Sequence, residues 1–169
     1  MRSGRFLSII STLVQPKTVV EIGTYTGYAT LCLCEGLAPD GMIHTYEINH
    51  ETEWLFKKYT ALTPYEKNIT QTIGDALEYI PQLDKEIDLS WIDADKKLNN
   101  QFFESILAKT RKGGLIMIDN TLWSGKVMDD DKDETTQAIH DLNEKLSRDE
   151  RITTVLIPIR DGITLVSKR

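Results

Sequence analysis

The chain has 169 residues, of which 40% are apolar and 27% charged, and a net charge of −6. This length predicts one domain with a core of its own, and the acidic balance disfavours a dedicated duplex-binding protein. The apolar runs are far shorter than the ~18 residues that a membrane span needs, so none is predicted. No small-residue cleavage site follows the first apolar stretch, and no secretion signal is predicted.

The cysteines and histidines do not predict a metal or redox site. Cys32 and Cys34 are two apart and lack the Cys-x-x-Cys spacing, so they are interpreted as small apolar helix residues in a reducing cytoplasm. His44, His50 and His140 are scattered and match no zinc-ligand spacing.

Helix and strand signals alternate along the chain. Helices are predicted at 6–14, 25–37, 50–59, 76–80, 99–109 and 135–146. Strands are predicted at 18–22, 42–48, 69–73, 87–92, 115–118, 152–159 and 163–167. This order predicts an α/β, doubly wound fold with a seven-stranded, mostly parallel open sheet. The last two strands flank the turn 160–162 and are expected to form an antiparallel C-terminal hairpin.

In such sheets ligands bind beyond the carboxyl ends of the strands, so residues there become site candidates. Gly23 and Gly27 follow the first strand and let the backbone approach a ligand closely. Glu21 stands on that strand, and its carboxylate suits a cationic ligand such as the ammonium of S-adenosylmethionine, held directly or through water. The alternative is a tight strand–helix turn without a ligand.

Two further strand ends could complete a nucleotide-type site. Glu47 ends the second strand, where a carboxylate can accept both hydroxyls of a ribose. Asp75 and Ala76 end the third strand, where a carboxylate or a backbone donor can meet an adenine edge. The alternatives are an exposed glutamate and a simple Gly-Asp turn.

The ends of the fourth and fifth strands carry oxygen-bearing side chains. Neighbouring strands lie about 5 Å apart, so Asp93, Asp119 and Asn120 can converge on one hard cation, Mg²⁺ or Ca²⁺. Lys96 follows closely and could act as general base, since a nearby cation lowers the pKa of a lysine. The alternatives are capping carboxylates at helix starts and a surface lysine.

At this point the residues resemble a known family. VEIGTYTGY at 20–28, IDADK at 92–96, GGLIMIDNTLWSGKV at 113–127 and DGITL at 161–165 resemble the cation-dependent class I O-methyltransferases of the caffeoyl-CoA and catechol type. The resemblance implies a Rossmann-like methyltransferase domain over 1–169, with S-adenosylmethionine as cofactor and an acceptor whose vicinal hydroxyls chelate the cation.

The resemblance also implies roles for individual residues. The implied cation ligands are Asp93, Asp119 and Asn120, with Lys96 and Asp93 as the catalytic pair and Trp123 as a substrate-side wall. The implied cofactor-binding positions are Glu21, Gly23, Tyr25, Ala29, Glu47, Asp75, Ala76 and Asp95. Ala29 stands where the family usually has serine, and Asn99 where it often has tyrosine. Family members usually carry several tens of residues upstream of the first helix, so the chain is expected to be short at its N-terminus.

The leading hypothesis is transfer of a methyl group from S-adenosylmethionine to a phenolic hydroxyl of a catechol-like small molecule. The first alternative is methylation of a hydroxylated uridine in tRNA, for which Arg2, Arg5 and Lys17 could form a local basic patch. The second is a weakly active cofactor-binding module. The third, a nicotinamide oxidoreductase, is disfavoured because the three-glycine fingerprint is missing. A homodimer in the cytoplasm is expected from the resemblance.

Overall fold

The computed structural model describes residues 2–169, with side chains from Ser3 onward. Its seven strands are β1 (Thr18–Ile22), β2 (Met42–Glu47), β3 (Ile69–Ile73), β4 (Ile87–Ile92), β5 (Thr110–Asp119), β6 (Ile152–Ile157) and β7 (Ile163–Lys168). They form one sheet in the order β3-β2-β1-β4-β5-β7-β6. All neighbours are parallel except β5–β7 and β6–β7. The predicted fold class and hairpin are confirmed.

Helices cover both faces of the sheet. They are α1 (Arg2–Val14), α2 (Tyr28–Cys34), α3 (Glu53–Thr60), α4 (Ala76–Tyr79), α5 (Asn99–Lys109) and α6 (Glu134–Arg148). One buried cluster joins α4, α5 and α6 to the face that carries Val20 and Ile22. The other joins α1 and α2 to the face that carries Val19. Alternation along β1 therefore sends neighbouring side chains into different layers.

Several predicted bounds differ from the structure, among them the start of α1 (residue 2, not 6) and the ends of α2 (34, not 37) and β6 (157, not 159), and three others differ for physical reasons that the structure shows. Helix α2 begins at Tyr28 rather than Tyr25, because Tyr25 (φ 47°) and Gly27 (φ 82°) are left-handed. A short 3₁₀ turn at His50–Thr52 precedes α3, so the predicted helix at 50–59 is split. Strand β5 starts at Thr110, well before the predicted residue 115. Arg111, in the added part of the strand, donates a hydrogen bond from Nε to Asp88 Oδ1 of β4 at 2.5 Å, which joins this part to the sheet.

Strand order reverses between β1 and β4, which places a crevice at the carboxyl ends of the central strands. Lys17 precedes β1 and lies at the opposite end of the sheet from that crevice. Arg5 lies on α1, roughly 13 Å along the helix axis from Val14, where the helix ends before Lys17. The structure does not bring these two members of the predicted basic patch together, and the Arg2 side chain lies outside the described residues. Within residues 2–169, no helix combines the length and apolarity of a membrane span.

Candidate active site

A cavity of about 500 Å³ opens at the carboxyl ends of β1 to β4. Cavities of this size commonly hold small-molecule ligands and cofactors. The predicted site residues that line it are Gly23, Tyr25, Glu47, Asp75, Ala76, Asp93 and Asp95. The structure therefore brings most of the predicted cofactor-binding positions to one cavity.

The glycine loop after β1 forms one wall of this cavity. A Cβ on Gly23 (φ 98°) would lie 2.1 Å from the carbonyl oxygen of Asp93. A Cβ on Gly27 (φ 82°) would lie 2.7 Å from the Phe56 ring. Both positions require glycine, since a side chain would meet neighbouring atoms and strain the backbone. The backbone N–H of Gly23 also donates to the carbonyl of Tyr46 at 3.0 Å, which fixes the loop to β2.

Glu47 joins the glycine loop to the end of β2. Its Oε2 accepts the backbone N–H of Tyr25 at 2.7 Å, and its Oε1 accepts that of Asn49 at 2.9 Å. A carboxylate has about four acceptor positions, so each oxygen keeps capacity for another donor. This carboxylate is therefore oriented by the backbone and remains able to accept the two hydroxyls of a ribose.

Two other lining carboxylates also cap helices. Asp75 Oδ1 accepts the backbone N–H of Leu77 at 2.9 Å at the start of α4. Asp95 Oδ1 accepts that of Lys97 at 3.0 Å at the start of a short 3₁₀ turn. Both residues therefore cap the segments that follow them, and both still line the cavity.

Glu21 lies beneath the glycine loop and does not line the cavity. Its fully buried carboxylate accepts the hydroxyls of Thr30 and Thr45, each at 2.5 Å through Oε2. Its Oε1 is buried without a hydrogen-bond partner among the described residues. Burial raises the pKa of Glu21 to about 7, and the two threonine hydroxyls oppose that shift. Glu21 thus links β1 to α2 and β2, and its predicted contact with an ammonium stays a prediction.

Ala29 also lies outside the cavity lining. It packs against the buried cluster of α1 and α2, on the same side of the sheet as Glu21. Its predicted place beside the cofactor stays a prediction.

Asp93 and Asp119 end two neighbouring parallel strands. Ile92 pairs with Ile118 in the β4–β5 register, so the two aspartates emerge side by side. Asp119 is 8% exposed, and burial followed by the negative charge of Asp93 raises its pKa to about 6. The backbone N–H of Asn120 donates to Asp119 Oδ1 at 2.8 Å and opposes the shift. The pair therefore joins a buried carboxyl, Asp119, to an exposed one, Asp93, at the edge of the cavity.

Lys96 is the cation beside this pair. Its Nζ donates to Asp93 Oδ1 at 2.8 Å, and the residue is only 9% exposed. Asp93 itself lines the cavity, so the ion pair lies at the junction between the cavity and Asp119. Burial of a lysine beside a carboxylate places a proton donor or acceptor next to the cavity.

The donor set is two carboxylates, one amide and no histidine or cysteine. In residues 2–169, no group of three or more His, Cys, Asp or Glu side chains is placed to hold a metal. The predicted cation site would therefore depend on Asn120 for its third oxygen. Asn120 follows Asp119 directly and has a left-handed backbone (φ 62°).

Trp123 begins an irregular segment after β5, which runs from Trp123 to Met128 in 3₁₀ turns. The residue is half-buried and, like Asn120 and Lys96, lies outside the lining of the 500 Å³ cavity. Its predicted role as a wall for the acceptor stays a prediction.

Sequence reasoning missed the apolar part of the lining. Tyr46, Ile48 and Leu98 contribute side chains to the cavity, and none was singled out from the sequence. No sequence signal marked Ile48, because the predicted strand 42–48 included it; the structure ends β2 at Glu47 and leaves Ile48 78% exposed at the cavity.

Comparison with known proteins agrees with this arrangement. The model of the O-methyltransferase family matches residues 1–169. A caffeoyl-CoA O-methyltransferase of Zea mays is 34% identical over 96% of this chain and 66% of its own length. The O-methyltransferase TomG of Streptomyces achromogenes, solved in complex with S-adenosylmethionine, superposes with a TM-score of 0.92 at 27% identity. That match covers 99% of this chain and 79% of TomG.

A second solved structure supports the same assignment. An O-methyltransferase of Bacillus cereus in complex with S-adenosylhomocysteine gives a TM-score of 0.93 at 25% identity, over 99% of this chain and 81% of its own. The chain spans about two thirds to three quarters of the length of the curated relatives it matches. The sheet, the glycine loop, the cavity and these matches identify the chain as a member of the class I S-adenosylmethionine-dependent O-methyltransferase family.

Proposed function

We propose that the protein is a divalent-cation-dependent O-methyltransferase that methylates a phenolic hydroxyl of a catechol-like small molecule. The observation that carries this proposal is the adjacent pair of exposed Asp93 and buried Asp119, with buried Lys96 beside it, at the edge of the cofactor cavity. It puts proton-handling and cation-binding groups next to the position of a methyl donor.

The cavity residues fit S-adenosylmethionine. Glu47 would accept the ribose hydroxyls, and Asp75 with the backbone of Ala76 would meet the adenine edge. The apolar side chains of Ile48 and Phe102 would exclude water from the adenosine. Together these contacts orient the donor, and orientation of two reactants accounts for much of the catalysis in a direct group transfer.

The residues at the ends of β4 and β5 fit a hard divalent cation. Lys96 binds Asp93, yet the pKa of the buried Asp119 is still raised by burial and by the charge of Asp93, so a further positive charge between the two carboxylates would be favourable. Asn120 would add an amide oxygen, which gives the all-oxygen donor set that Mg²⁺ and Ca²⁺ prefer. When bound, the ion supplies electrostatic stabilisation of a phenolate oxygen.

Lys96 is proposed as the proton acceptor. In its neutral form Nζ would take the proton of the acceptor hydroxyl, and Asp93, 2.8 Å away, would stabilise the ammonium that results. The methyl carbon then forms a bond to the phenolic oxygen as its bond to sulfur breaks, leaving S-adenosylhomocysteine and a methyl ether. Asp93 therefore serves both the proposed cation and the proposed base.

Methylation of tRNA stays a prediction with less support. Arg5 lies in the first half of α1, whereas Lys17 follows the end of this helix and directly precedes β1, at the end of the sheet away from the cavity. The net charge of −6 also opposes a polyanionic partner. A homodimer likewise stays a prediction.

A methylation screen tests the proposal. Purified protein with labelled S-adenosylmethionine is offered catechols or bulk tRNA, with Mg²⁺, with Ca²⁺ or with a chelator. We expect label in a catechol only when a divalent cation is present. Label in tRNA alone, or equal turnover in chelator, would contradict the proposal.

A variant pair isolates the cation site from the cofactor site. Asp119→Ala should abolish cation-dependent turnover while S-adenosylhomocysteine affinity, measured by calorimetry, stays within about threefold, because Asp119 does not line the cavity. Asp141→Asn, on the exposed face of α6, is the matched control and should change neither quantity.

A further inference from the structure

The segment after β5 has a backbone that its own sequence disfavours. Asn120, Trp123 and Ser124 have φ angles of 62°, 49° and 55°, and Gly125 has 83°. Residues other than glycine enter the left-handed region at a cost, and a run of them persists only when the surroundings hold it. Contacts from outside the segment must therefore fix it.

The turn between β6 and β7 supplies those contacts. The backbone N–H of Thr121 donates to the carbonyl of Gly162 at 3.1 Å, and that of Leu122 to the carbonyl of Asp161 at 2.8 Å. The backbone N–H of Ser124, in the left-handed run itself, donates to the Asp161 carboxylate. Asp161 thus binds the segment twice, once through its backbone and once through its side chain.

The two segments also pack closely. A Cβ on Gly162 (φ 84°) would lie 2.6 Å from Leu122 Cγ and 2.9 Å from its backbone nitrogen. The hydroxyl of Thr164, on β7, donates to that of Thr121 at 3.0 Å. The left-handed segment therefore packs against the turn between β6 and β7. The Asp161 carboxylate is the side chain of this turn that accepts a hydrogen bond from the segment.

We propose that Asp161 is a positioning residue for the active site. Its carboxylate holds Ser124 and so fixes the path of the chain between Asn120 and Trp123. For the cation this inference rests on the proposed function, since Asn120 supplies the third oxygen there. Asp161 acts through the backbone, as a hydrogen-bond acceptor, and its negative charge is not required.

Two variants separate the acceptor from the charge. Asp161→Asn keeps an oxygen that can accept from Ser124 and loses the charge, whereas Asp161→Ala loses both. Asp149→Ala is the matched control, because Asp149 accepts the backbone N–H of Arg151 at 2.9 Å in a different turn.

Hydrogen–deuterium exchange of the full chain, without cofactor or metal, is the primary test. We expect Asp161→Ala to speed exchange in a peptide covering 120–128 by up to about tenfold, the size expected for loss of one hydrogen bond. Asp161→Asn should stay within about threefold of wild type, and Asp149→Ala should leave this peptide unchanged. If this peptide exchanges at the same rate in Asp161→Ala as in wild type, the proposal is overturned.

Binding and kinetics extend the test to the cation. With S-adenosylhomocysteine present, Asp161→Ala should weaken Mg²⁺ binding about tenfold and lower kcat, and Asp161→Asn should restore both. An equal rise of acceptor KM in both variants, with unchanged exchange, would mean that Asp161 contacts the acceptor directly and would overturn the positioning role. Faster exchange in Asp161→Ala, in a protein that binds no Mg²⁺, would refute the proposed function and leave the positioning role supported.

Discussion

Glu21 offers a prediction whose size and sign follow from its burial. Its carboxyl is fully buried, one oxygen has no partner among the described residues, and its pKa is raised from 4.5 to about 7. Between these two values the unfolded chain has released the proton that the folded protein still holds. Stability then falls as pH rises, by about 1.4 kcal/mol per pH unit.

The total contribution can be worked from the two pKa values. The difference between 4.5 and about 7 corresponds to about 3 kcal/mol of stability that is present below the lower value and lost as pH passes the higher one. Glu21→Gln cannot ionise and escapes this loss. The variant should therefore gain about 3 kcal/mol relative to wild type between about pH 4.5 and 7.5.

Urea unfolding at about four pH values across that range measures the difference directly. Asp119, whose pKa is also raised, titrates in both proteins and cancels in the comparison. Glu86→Gln, at an exposed position, is the control and should follow wild type at every pH. A difference between Glu21→Gln and wild type that stays flat across the range would refute the reasoning.

Three further predictions concern the cofactor loop and the core. Gly23→Ala places a methyl group 2.1 Å from the Asp93 carbonyl, so calorimetry should show at least about tenfold weaker S-adenosylhomocysteine binding. Glu47→Ala removes the acceptor that orients Tyr25 and should weaken the same binding by about 10- to 100-fold with little change in melting temperature. Phe103→Ala in the fully buried layer under α5 should cost about 3–5 kcal/mol in urea unfolding, whereas Leu62→Ala, at a 77% exposed residue, should cost under about 0.5 kcal/mol.

Each of these has a result that would count against it. Undiminished affinity in Gly23→Ala would mean that the glycine loop does not approach the ligand. Unchanged affinity in Glu47→Ala would remove the ribose assignment. Similar losses in Phe103→Ala and Leu62→Ala would contradict the assignment of the core.

The fold was predictable because its strands are marked locally. β1, β3 and β4 begin and end where the sequence predicts, since each is rich in β-branched or apolar residues and is followed directly by Gly or Asp. At the start of α2 and of β5 the bounds are wrong because of a contact distant in sequence, whereas the 3₁₀ turn before α3 has a local cap from Asn49. Helix α2 starts late because Glu47, from β2, captures the Tyr25 backbone and holds it outside the helix.

The site was predictable in part for the same reason. Strand ends were correctly expected to gather Asp93 and Asp119, because carboxyl ends of parallel strands share one edge. The sequence could not say that alternation along β1 points Ile22 into the cavity and Glu21 away from it. The sequence matched Asp161 only as part of the motif at 161–165. Its hydrogen bond to Ser124 joins residues that are 37 positions apart, and no local pattern predicts such a contact.

A crystal structure with S-adenosylhomocysteine and Mn²⁺, read by anomalous scattering, tests the cation site most directly. The account predicts one strong peak, bound by oxygens of Asp93, Asp119 and Asn120 and adjacent to the occupied cofactor cavity. A filled cavity with no peak between these three side chains, at saturating Mn²⁺, would contradict it.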